Sequence, residues 1–184
     1  MRWGALFDDL ESQLIAAERA ALEAQAADLV RAEQALLGLQ DRLRAHEGAA
    51  EFVLRGGLRV RGRVAEVAED WCAIEEPPKN ILISARGVVS VSGLGRSARM
   101  EMSRVRRTLS LGSALRALAR DRALITCHVD AGKPEALVVS GMIDVVGRDY
   151  VEIAVSRTDD WAREMPRRTT VLPLAGIIAV VSPA

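Results

Sequence analysis

Aromatic side chains are nearly missing from this chain. Trp3, Phe7, Phe52, Trp71, Tyr150 and Trp161 are the whole set in 184 residues, too few for an extended platform that stacks bases or sugars. Cysteine is rarer still: Cys72 and Cys127 stand far apart in different apolar runs, which excludes a disulfide framework. With His46 and His128 the only histidines, a soft-metal centre has no ligand set, so neither a metal nor a cofactor is expected. The cysteines read as buried small hydrophobes. No apolar run approaches the roughly 20 residues of a membrane span. No basic stretch followed by an apolar one opens the chain, so no signal peptide is expected and a cytoplasmic location is the default. Lysine occurs only at Lys79 and Lys133, a skew toward Arg that, with abundant Ala, reads as base composition rather than function.

What is present suffices for a folded protein. Hydrophobic residues make up 49% and charged residues 27%, with 25 Lys+Arg balancing 25 Asp+Glu, a composition that buries a core and disfavours disorder. The length allows one domain of average size or two very small ones. Residues 1–48 contain no Pro and are dominated by Ala, Leu, Glu, Gln and Arg, all good helix formers. Ile15, Leu22, Leu29, Leu36 and Leu43 recur at every seventh position. A helix over 8–46, stopped by Gly48, would be about 58 Å long. That length suits a coiled coil or bundle between copies; an intramolecular hairpin or a helix laid on the rest of the chain is the alternative. Trp3, Leu6, Phe7 and Leu10 form an apolar patch at the start, a staple onto the core or, with Trp161, a docking segment for a partner.

From residue 51 the pattern alternates in the manner of short strands joined by tight turns at Gly56-Gly57 and Pro77-Pro78-Lys79-Asn80. The chain also matches itself. After Gly62 come Val64, Val67, Asp70, Trp71 and Ile74; after Gly141, at the same spacings, come Ile143, Val146, Asp149, Tyr150 and Ile153. Further on, Gly87-Val88-Val89-Ser90-Val91 matches Gly176-Ile177-Ile178-Ala179-Val180, and the offset has grown from 79 to 89 residues. The ten extra residues fall around Arg157 to Arg168 and read as a polar hairpin.

A helix followed by five bent strands, with Gly and aliphatics at these spacings and the Arg86-Gly87 pair, resembles the Sm and Sm-like fold, a small SH3-like β-barrel. The resemblance implies an α+β chain: a long N-terminal helix capable of a coiled coil, then two tandem five-stranded barrels. The divisions expected are a helical oligomerisation segment over 1–48 and a first barrel over 49–95. An Arg-rich link with a short helix over 96–122 and a second barrel over 123–184, with its extra hairpin at about 155–170, complete the chain. Sm proteins that bind uridine-rich RNA place an aromatic or His eight residues after the Gly and an Asn ten after it. Those positions here hold Asp70 and Cys72, then Asp149 and Val151, so the resemblance carries the fold without the base-reading residues.

The zero net charge hides segregation. Residues 1–48 sum to −4, residues 49–92 to 0, residues 93–122 to +6 and residues 123–184 to −2. Arg96, Arg99, Arg104, Arg106, Arg107, Arg116 and Arg120 in the link, with Arg86 before it, are candidates for sequence-blind phosphate contact. The alternative is that this basic segment pairs with acidic parts of the same or a neighbouring chain. Catalytic constellations are not found. Asp159-Asp160 sits in the polar hairpin and reads as a solvated turn, and Gly93-Leu94-Gly95-Arg96 is too short for a phosphate fingerprint. The expected protein is therefore not an enzyme. It is an adaptor or regulatory homo-oligomer that presents its barrels to a protein partner, with non-specific nucleic-acid binding through the link as the alternative.

Overall fold

The computed structural model describes residues 2–155 and 169–183, the side chains of residues 2–6, 8, 10, 107 and 155 excepted. The chain divides into two compact units, Met1–Gly38 and Leu39–Ala184. The first is a single helix, α1 (Arg2–Ala35), about 51 Å long. Gln13 donates to Asp9 Oδ2 at 2.9 Å, and Arg31 pairs with Asp28, which are helix-surface contacts at spacings of four and three. The helix does not continue to residue 46. Leu36 N–H and Leu37 N–H turn back to the Glu33 and Gln34 carbonyls, tightening the last turn before Gly38.

The second unit begins with a short helix, α2 (Leu39–Arg44), followed by β1 (Ala49–Leu54), β2 (Arg59–Val67), β3 (Trp71–Glu76), β4 (Lys79–Ser84) and β5 (Val88–Ser92). A link carries α3 (Arg104–Arg107) and α4 (Leu111–Arg120). Then come β6 (Leu124–Val129), β7 (Leu137–Val146), β8 (Tyr150–Val155), β9 (Thr169–Pro173) and β10 (Ile177–Pro183). Inward residues alternate along β1, where Ala50, Phe52 and Leu54 are buried, and along β6, whereas Ile177–Val180 of β10 are buried without a break.

The strands make one ten-stranded antiparallel sheet in the order β5-β1-β2-β3-β4-β10-β6-β7-β8-β9. This corrects the expectation of two tandem five-stranded Sm-like barrels. The strand β10 pairs along β4 from Ala179↔Ile83 to Pro183↔Lys79, so the hydrogen bonds run unbroken through the middle. The cores interlock across that joint. Ile178 and Ala179 of β10 belong to the cluster built on Phe52, Ile74 and Ile83, while Trp71 and Leu82 pack against the cluster built on Ile125, Val151 and Ile153. The physical reason is that an unpaired strand edge carries a row of unsatisfied N–H and C=O groups. Each of these two edges is satisfied by the other. Alternation in a sequence shows that strands exist but not which edges meet.

The self-matching segments occupy corresponding hairpins. The β2–β3 register shifts between Val64 and Glu66, and the β7–β8 register between Ile143 and Val145. A Cβ at Gly62 would sit 2.3 Å from the Glu75 carbonyl oxygen, and one at Gly141 would sit 2.2 Å from that of Ala154. The next strand crosses too closely for any side chain. The two cysteines are free and buried, one in each core cluster. Burial pushes both thiols up to about 12, because a thiolate in an apolar surround loses its hydration. Neither should react with a thiol-specific reagent at pH 8 in the native protein, while both react once urea unfolds it. Mass spectrometry of alkylated peptides measures this.

Candidate partner and nucleic-acid surfaces

The Arg-rich link is laced to the sheet unit by its own backbone and guanidinium groups. Arg99 N–H donates to the Asp41 carbonyl at 2.8 Å, and the Arg99 side chain donates to the carbonyl of Arg44. From α2, Arg42 returns a bond to the Gly95 carbonyl at 2.8 Å. The helix α3 starts at Ser103, whose hydroxyl accepts from Arg106 N–H, and α4 starts at Ser110, whose hydroxyl accepts from Ser113 N–H. Asp70 adds a carboxylate to the second cap, accepting from Leu111 N–H at 2.9 Å. The negative charge meets the positive end of the α4 dipole. The residue that stands where the resemblance puts a base-stacking side chain is thus engaged in holding α4. Ten residues after the matched glycines, Cys72 and Val151 point into the cores.

The candidate arginines do not gather at one place. Arg99 and Arg106 line a cleft of about 710 Å³ with Arg44, Arg63, His46, Glu47, Glu66 and Glu101. Arg106 pairs with Glu66 at 3.2 Å, Arg63 with Glu75, and Arg44 with Asp41 at 2.9 Å. These internal acids offset the cations that phosphate would seek. Arg86 and Arg116 line a smaller cleft of about 290 Å³ with Arg148, Asp70 and Asp149 beside the start of α4. Arg116 also donates to the Gly147 carbonyl at 3.1 Å. Arg86, Arg96, Arg104 and Arg120 are exposed and form no ion pair with another described residue. Arg107 lies in α3 and its side chain is outside those described.

The oligomerisation candidates split. Ile15, Leu22, Leu29 and Leu36 are between 51% and 84% exposed. Leu43, the fifth member of the series, lies on α2 and is buried in the sheet core. The helix α1 ends at Ala35 and Leu43 belongs to a separate short helix of the sheet unit, which spacing alone does not reveal. Of the docking candidates, Phe7 is exposed; Trp3 and Leu10 lie on α1 with side chains outside those described. Trp161, Asp159 and Asp160 fall outside the described residues.

Two titratable groups in the cleft and sheet have no evident chemistry. His46 Nε2 is buried without a hydrogen-bond partner among the described residues. His128, on β6, is held toward its neutral form by burial. Among the described residues no cluster of three or more His, Cys, Asp or Glu side chains is placed to hold a metal ion, and no helix is long and apolar enough to cross a membrane. The cleft arginines Arg44 and Arg63 were not among the sequence candidates. They come from α2 and β2, and only the fold brings them beside the link. Set against known proteins, the chain matches no family model and no curated protein.

Proposed function

We propose that this chain is a non-enzymatic adaptor or regulatory protein that oligomerises through its N-terminal helix and presents its ten-stranded sheet to a protein partner. The observation that carries the reading is the exposed stripe of Ile15, Leu22 and Leu29 along a 34-residue helix, with exposed Leu36 just past its end. Each such side chain contributes about 1.5–3 kcal/mol when removed from water, and a seven-residue repeat keeps the stripe facing a partner helix. The partner that presents the same spacing is the α1 of a second copy. Two free cysteines and no disulfide among the described residues suit a reducing compartment, the cytoplasm. Light scattering on the full chain tests the self-association. The Leu22→Lys/Leu29→Lys variant should lose mass relative to the parent while keeping its circular dichroism. A parent whose mass the variant leaves unchanged contradicts the reading.

The exposed Arg86, Arg96, Arg104 and Arg120 favour a second reading, non-specific binding of nucleic acid through phosphate contacts. Mixed-sequence oligonucleotides should then bind with steep salt dependence, and the quadruple Ala variant should not bind. No binding at low salt removes this alternative.

A further inference from the structure

The two ends of the sheet are exposed counterparts of the two strands that meet in its middle. The sheet order runs β5-β1-β2-β3-β4 and then β10-β6-β7-β8-β9. In this order β5 stands to β1 as β10 stands to β6, and β9 stands to β8 as β4 stands to β3. The registers agree residue by residue. Leu54 pairs with Val88 and Val53 with Ser90, skipping Val89; Val129 pairs with Ile177 and His128 with Ala179, skipping Ile178. Val89 and Ile178 are therefore the same bulged position in two places.

Their environments differ in one respect. Ile178 is 1% exposed, packed on Gly87, where a Cβ would lie 2.9 Å from its side chain. Val89 is 63% exposed. On the other edge, Val171 of β9 corresponds to Leu82 of β4; Leu82 packs against a core, whereas Val171 is 57% exposed. The counterpart of Gly87 is Gly176, again a glycine, although neither needs the positive φ found at Gly56, Gly57, Gly93 and Gly132. Gly87 is small because Ile178 rests on it. At Gly176 a Cβ would meet only the Val129 Cγ1 of its own chain, at 3.3 Å, and no described backbone lies on it as that of Ile178 lies on Gly87.

We propose that β5 of one copy of this chain pairs antiparallel with β9 of a second copy, repeating between chains the β4–β10 joint found within one. Carrying the internal register across gives Ser90↔Leu172, Val91↔Val171, Ser92↔Thr170 and Gly93↔Thr169, with Val89 seated over Gly176 of the next copy. Pro173, which has no N–H to give, stands where Ser84 stands, just beyond the last paired residue of the internal joint. The two edges differ, so the contact is head to tail and can be repeated from copy to copy, as a ring or a filament. This surface is distinct from α1, and the test is made where α1 cannot contribute.

In full-length chains carrying Leu22→Lys/Leu29→Lys, light scattering at about 100 µM should give a mass of two or more copies. A lysine on an edge strand blocks pairing, so Val89→Lys or Val171→Lys in this background should reduce the mass to one copy. Mixing the two lysine variants should restore a pair, because each retains the edge that the other has lost. Where a lysine variant fails to fold, Val91→Cys/Val171→Cys chains should form disulfides between copies under mild oxidation, since Cys72 and Cys127 are buried. A single-copy mass before the edge substitutions, or lysine variants that do not complement, would overturn the proposal. So would cysteine chains that fold but stay unlinked.

Discussion

Ile178→Ala should lower the stability of the whole sheet by about 3 kcal/mol, the middle of the range for truncating a fully buried Ile. The side chain belongs to β10, whose neighbours Ile177 and Val180 serve the second core cluster, yet Ile178 itself fills the first. The two free thiols make the test specific. Cys72 reports on the first cluster and Cys127 on the second, and both are buried in the folded chain. In urea, pulse alkylation of the variant should expose Cys72 and Cys127 at one shared midpoint, lower than that of the parent. If Cys72 became reactive at lower urea while Cys127 kept its original midpoint, the β4–β10 joint would not couple the two clusters.

Gly141→Ala should cost about 3 kcal/mol, and Gly141→Val should leave no folded protein, with Gly62 behaving alike. The reason is distance. A Cβ at 141 would stand 2.2 Å from the Ala154 carbonyl oxygen and 2.7 Å from Ile153 Cγ2. The atoms that would have to move are backbone atoms of a paired strand, so the strain cannot relax through a rotamer. Thermal unfolding followed by circular dichroism measures the alanine variants, and soluble yield measures the valine ones. A Gly141→Ala protein as stable as the parent would mean that β7 and β8 can separate at this crossing without penalty.

Such positions were legible beforehand, because their cause is local. A glycine followed at fixed spacings by aliphatics, an aromatic and an isoleucine opens both hairpins. The matched segments after Gly62 and Gly141 sit in hairpins with the same register shift. The helical start was equally plain from its residue types, as was the burial of Cys72 and Cys127 from their apolar neighbours. The candidate surfaces were less so. Leu43 continues a seven-residue series, but Gly38 interrupts the helix that would have kept it in line. The link arginines form one run in the chain, but Arg99 and Arg106 line one cleft, Arg116 lines another, and Arg96, Arg104 and Arg120 line neither. Arg99 and Arg106 there meet acids and backbone carbonyls supplied by α2 and β2. Asp70 looked like a lost base-reading position, and its role as a cap for Leu111, 41 residues later, follows only from the path of the link.

By itself, then, the sequence determined an N-terminal helix with an apolar stripe, a run of short strands bent at Gly62 and Gly141, and a basic link between two sets of them. The tertiary structure alone decided that ten strands form one sheet rather than two barrels. Side-chain alternation sets which face of a strand is buried, a property of neighbouring residues. Which edge meets which depends on backbone groups that every residue shares, so no pattern of side chains announces it. That choice joins β4 to β10 and makes β5 and β9 the outermost strands among the described residues.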